Sequence, residues 1–178
     1  MFKSNIIPMK EALKIRERFI NLYVDTSSSR YVKYIKPLKA TDIVYGYICC
    51  YLFDCLKPGT YDIVAFHKAI ELLRMLGDKQ VFVMFDIRPK ENITPYAHEA
   101  LAHPYTKHFS SDSVLKMSAD EVIEILLKDQ SLPCQEHIFG EDLYVIDSSL
   151  NWYVAFSHTE MPSGENACFI NDNAFGYK

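Results

Sequence analysis

Glycine is scarce in this 178-residue chain, with six in all, and none falls into G-x-G-x-x-G, a P-loop or G-x-S-x-G. That leaves little material for a glycine-rich phosphate cradle and excludes the nucleophile elbow of the serine hydrolases. Cysteine is present but in a number that excludes a regular disulfide framework: there are five, two of them adjacent at Cys49 and Cys50, and none in C-x-x-C spacing. Reduced thiols and a cytoplasmic location are the expectation. Long apolar runs are also missing. The amino terminus meets Pro8 and a series of charges before any such run develops, and residues 43–53, the most apolar stretch, are too short to cross a bilayer. Neither a signal peptide nor a membrane span is expected. Charge is sorted by position. From residue 117 onward two Lys/Arg face eleven Asp/Glu, whereas the first ninety residues carry fifteen against nine.

What is present describes one packed domain, residues 1–178, with 49% hydrophobic and 24% charged residues. Met9, Leu13, Phe19, Ile20 and Tyr23 recur at helical spacing after Pro8, predicting an amphipathic helix over 8–24. Residues 30–35 alternate weakly and read as a short strand. A helix capped by Thr41 or Asp42 is expected to run to about Leu56, with a strand over the β-favouring Ile43, Val44, Tyr45 and Tyr47 as the alternative, and a helix over 62–76 is expected to stop at Gly77. QVFVMFDI at 80–87 reads as a buried strand. A short helix is expected around 96–101. Ser118-x-x-Glu121 is a capping box opening a helix to about Lys128. Residues 143–147 and 152–157 read as the two strands of a hairpin, and 161–178 as either a peripheral tail or an edge strand. The fold class that follows is α/β in the broad sense, more narrowly α+β: N-terminal helices on a small mixed or antiparallel sheet with a C-terminal hairpin.

Few constellations carry chemistry. His98-Glu99 is followed by His103, five residues on, which leaves two histidines about 140° apart on a helix, so the H-E-x-x-H metal site is missed. His108 repeats that spacing. Cys134 and His137 lie three apart without an oxyanion-hole context, and Cys49, Cys50 and Cys55 sit in an apolar stretch as small core residues. No metal or cofactor site is expected. The basic run Arg16, Arg18, Arg30, Lys33, Lys36 and Lys39 is interleaved on helix faces and reads as solvated surface, so direct nucleic-acid binding is not favoured.

The distinctive segment is 147–160, DSSLNWYVAFSHTE. Alternation puts Trp152, Val154, Phe156 and His158 on one strand face, and Tyr153, Ala155 and Ser157 on the other. Trp152 is expected to anchor the core and His158 to sit at its margin. Asp147, His158 and Glu160 are expected to gather at the open end of the hairpin, with strand pairing bringing His158 toward Asp142. Glu136, Glu141, Asp142, Asp147, Glu160 and Glu165 surround the hairpin, and Tyr144 and Tyr153 are candidate aromatic anchors for a partner.

The order of elements, closing on this D-x-S-x-x-W-x-x-x-x-S-H-x-E pattern over 143–160, resembles small bacterial immunity proteins of toxin–immunity and contact-dependent inhibition systems. The resemblance implies a cytoplasmic, non-catalytic protein that binds one cognate toxin domain and blocks it. The acidic surplus fits such a role, because toxin domains that attack nucleic acid are usually basic. The partner-binding candidates are then Glu136, Glu141, Asp142, Tyr144, Asp147, Tyr153, His158 and Glu160. Two alternatives stand beside this expectation: a small hydrolase using His158 with a nearby carboxylate, and a regulatory interaction domain.

Overall fold

The computed structural model describes residues 4–35, 51–86, 113–133, 136–140 and 142–171. Six strands are found among them: β1 Asp62–Ala65, β2 Gln80–Phe85, β3 Val114–Ser118, β4 Leu143–Asp147, β5 Tyr153–Glu160 and β6 Asn166–Asn171. They form one sheet of order β1-β6-β5-β4-β2-β3 in which every neighbouring pair is antiparallel. Among the described residues three α-helices accompany it: α1 Met9–Tyr23, α2 Phe66–Arg74 and α3 Ala119–Gln130. This is an α+β fold.

Apolar residues cover both faces of the sheet. Val83, Phe85, Val145, Val154, Phe156 and Cys168 face α2 and α3 in one core. Their alternates Met84, Tyr144, Ile146, Tyr153 and Ala155 face α1 and the short 3-10 turn Leu52–Cys55 in a second core. The stripe of α1 that reaches this second core is Ala12, Ile15, Arg16, Phe19 and Tyr23. Met9 and Leu13 are about half exposed, so the buried face is rotated from the expected one. Phe19 meets Tyr23, Tyr144 and Tyr153 at ring separations of 5.1–5.4 Å, and this aromatic cluster fixes α1 on the sheet.

The hairpin, the strand over 80–85 and the capping box form as expected. Ser118 Oγ accepts the Glu121 backbone N–H at 3.2 Å, and Glu121 Oε2 accepts the Ser118 backbone N–H at 2.9 Å. Other readings are corrected. Residues 30–35 turn helically, with a π-helical stretch at Tyr31–Ile35, instead of extending. The helix expected over 62–76 begins only at Phe66, because Asp62–Ala65 pair with residues 167–170 of β6. Residues 166–171 are neither tail nor edge: β6 lies between β1 and β5. Residues 114–117, for which the sequence predicts no element, form β3 together with Ser118. Of the helix expected over 43–56, Leu52–Cys55 is a 3-10 turn, and 43–50 lie outside the described residues, as does the helix expected around 96–101.

Two local devices finish the sheet. Ile7 donates its backbone N–H to Val114 O at 2.9 Å and Asn5 O accepts the Lys116 N–H at 2.8 Å, so the amino-terminal segment covers the outer edge of β3. α2 has no side-chain cap of its own at Ala65. Glu165 supplies one from the turn before β6, accepting the His67 backbone N–H at 3.3 Å and meeting His67 Nδ1 at 2.7 Å. These hydrogen bonds hold the Glu165 carboxyl below its usual range.

Candidate functional site

The antiparallel register of β4 and β5 has two distinct ends. At the closed end Ile146 faces Tyr153, and residues 148–151 make the turn. Asp147 belongs there. Its carbonyl accepts the Leu150 N–H at 2.8 Å and its carboxylate accepts the Asn151 N–H at 3.4 Å, supporting Leu150 at a φ of 59°. The expected gathering of Asp147 with His158 and Glu160 is therefore corrected: the hairpin separates them along its length.

At the open end Leu143 faces Phe156, and the chain beyond carries Asp142 on one side and Ser157 to Glu160 on the other. Asp142 is buried. Its Oδ1 accepts the His158 backbone N–H at 3.1 Å and lies 2.8 Å from His158 Nδ1, so the expected approach of these two residues is realised. With Asp142 ionised, Nδ1 is the donor and the imidazole is held in one orientation. The His158 side chain is 40% exposed, against 2% for Asp142.

His158 does not share the face of Phe156. The β5–β6 register shifts between Phe156 and Glu160, and strict alternation is lost there. His158 instead meets Tyr51 and Phe53, at ring separations of 4.7 and 5.8 Å, on the α1 side of the sheet. Ser157 lies on the other side, lining a small cavity with Gln130, His137, Phe156 and Asn166.

Behind His158 lies a buried polar group that the sequence reading did not single out. Asp86, fully buried at the end of β2, accepts the Leu52 backbone N–H through both carboxylate oxygens, at 3.2 and 3.1 Å. It also accepts the Tyr144 hydroxyl at 2.8 Å, while its own N–H donates to Asp142 O at 3.3 Å. Arg16, buried on α1, donates Nη1 to Phe85 O at 2.9 Å. Burial pushes the Tyr144 phenol well above its ordinary value; the Asp86 and Asp142 charges add to this and the Arg16 charge opposes it. The signal in the sequence was Asp86 itself, a carboxylate set directly after five apolar residues of a buried strand.

The remaining candidates separate by exposure. Glu136 and Glu160 are exposed, and Glu141 lies outside the described residues. Tyr144 and Tyr153 are fully buried in the second core, so the reading of them as surface anchors is corrected. The sheet is covered on both faces, and alternation places a residue on a face without exposing it. Trp152 is buried in the first core as expected, and Cys55 and Cys168 are buried cysteines. Burial lifts the Cys168 thiol well above its ordinary range. His137 is buried and donates Nε2–H to Leu132 O at 2.9 Å. Cys49, Cys50, Cys134, His98, His103 and His108 lie outside the described residues. Among the described residues no group of three His, Cys, Asp or Glu side chains is arranged to hold a metal ion, and no helix is long and apolar enough to cross a membrane.

No protein-family model matches the chain, and no curated protein or solved structure matches it. Function therefore rests on the geometry of these residues.

Proposed function

We propose that this chain is a non-catalytic protein-binding protein, and specifically a cytoplasmic immunity protein that neutralises a basic, nucleic-acid-targeting toxin domain. The observation that supports this reading is topological. The turn after α3, the start of β4, the end of β5 and the turn before β6 converge on one end of the sheet, bringing Glu136, Asp142, Glu160 and Glu165 to that end. Glu136 and Glu160 face solvent there and Glu165 is half-buried. Acids gathered at one end of a molecule steer a basic partner toward that end and accelerate encounter more than they add to final affinity. Asp142 contributes from behind by fixing His158 beside them.

The test takes the product of the reading frame immediately upstream, which this reading requires to carry a toxin domain. Co-expression is expected to restore growth, and the Glu136→Lys/Glu160→Lys pair to slow association about tenfold with a shallower dependence on salt. An association rate and salt slope equal to wild type would overturn the acidic end as the interface, and an absence of any complex would overturn the immunity reading. The hydrolase alternative is favoured by one observation, the 2.8 Å contact between His158 and buried Asp142, which is how an orienting carboxylate holds a catalytic base. It requires that His158→Phe abolish a measured turnover, whereas the binding reading requires only that complex formation respond.

A further inference from the structure

The solvent side of α3 and the amino-terminal segment paired with β3 line a half-open cavity of about 220 Å³. Met117 of β3, Ile125 of α3 and Ile138 of the following turn give it apolar walls; Glu121, Glu124 and Lys128 of α3 carry charge at it. Its volume is below the roughly 300 Å³ at which sites for whole small molecules begin, and it suits one long side chain.

We propose that this cavity is a socket for an arginine side chain presented by a protein partner. The proposal rests on the protein-binding reading above and supplies it with an anchor. The aliphatic stem of arginine packs along apolar surface while its head stays at a polar margin. Ile125 and Ile138, half-buried against the first core, provide that surface here. One carboxylate is already positioned: Glu121 Oε2 is held by the Ser118 backbone N–H at 2.9 Å and by Ser118 Oγ at 3.0 Å. Glu124, exposed and three residues further along the same helix face, supplies the second. A pair of carboxylates at fixed helical spacing suits a planar guanidinium fork better than a compact ammonium. Lys128, one turn beyond Glu124, opposes any cation and weakens the socket's affinity.

The experiment is a methyl NMR titration of the full-length protein, observing Met117, Ile125 and Ile138, with N-acetyl-arginine amide as the probe and N-acetyl-norleucine amide as its uncharged counterpart. Saturable shifts of these three residues are expected with the arginine probe, and binding at least about tenfold weaker with the norleucine probe. Glu124→Gln is expected to weaken the arginine probe about tenfold, the loss of one charge-assisted hydrogen bond, and Lys128→Gln to tighten it. Both positions are exposed, so both variants keep the fold. Absence of saturation, equal binding of the two probes, or an unaltered Glu124→Gln variant would overturn the socket. The two proposals fail separately. Probe saturation without a toxin complex retains the socket and discards the immunity reading; a toxin complex indifferent to Glu124→Lys, with no probe saturation, does the reverse.

Discussion

On the α1 side of the sheet, Asp86 ties three elements together through one buried carboxylate. Its carboxylate is closed off from solvent and accepts the Leu52 N–H and the Tyr144 hydroxyl, joining the 3-10 turn, β2 and β4 at one point. A buried acceptor that loses a donor keeps its desolvation penalty, whereas the apolar volume of the ring is retained in phenylalanine. Tyr144→Phe is therefore expected to destabilise the protein by about 1–3 kcal/mol, seen as a lower urea midpoint with an unchanged slope. A midpoint equal to wild type would mean that the hydroxyl contributes nothing to holding Asp86. His158 illustrates a second residue-scale effect. Its partner Asp142 was accessible from strand pairing, but its face was not, because the register shift after Phe156 turns the imidazole toward Tyr51 and Phe53.

Among the elements, α3 is the one whose start is fully specified by local chemistry. Ser118 and Glu121 satisfy each other's backbone N–H groups, and replacing a serine N-cap costs about 1 kcal/mol. Ser118→Ala is thus expected to lower the thermal midpoint by several degrees, without altering the α-helix content by circular dichroism at 25 °C; an unshifted midpoint would show that β3 and the sheet alone set the start of α3. The same contrast explains which elements were legible in the sequence. The capping box, the apolar run of β2 and the hairpin of β4 and β5 are each determined within a few residues, and each was read. β1 and β6 are determined by one another. Ile63, Phe66 and Ile70 fit a helical stripe locally, and only pairing of Asp62 with Ile170 through Ala65 with Ala167 extends the first four residues. β6 carries little apolar periodicity of its own and becomes a strand because two neighbours supply its hydrogen bonds. The candidate site divides in the same way: the Asp142–His158 approach follows from hairpin pairing, while Asp86, Tyr51 and Arg16 arrive from segments whose docking no local pattern records.

For the whole molecule, the decisive fact is a sheet buried on both sides, with tyrosines inside it. Burial raises the phenols of Tyr144 and Tyr153, and it raises Tyr23 as well, with the Asp147 charge as a second contribution. A phenol raised in the folded state keeps a proton that the unfolded chain releases above about pH 10, so stability is fully present below that pH and falls as pH rises past it. Alkaline titration followed at the tyrosinate absorbance is expected to show the exposed phenols ionising first. The buried ones should follow in a cooperative step that coincides with loss of circular dichroism. A single smooth titration with the fold intact would contradict the burial of these rings.

The position of β6 inside the sheet has a consequence for synthesis on the ribosome. β1 leaves the exit tunnel early, yet among the described strands its only neighbour is β6. Until residues 166–171 emerge, β5 exposes an unpaired edge and α2 lacks the Glu165 that caps it. From the emergence of β1 until that of β6 the nascent chain carries β1 unpaired, with the long-range contacts that are slowest to form coming last. Chaperones that shield unpaired strand edges would meet this protein in that interval, after β5 and before β6.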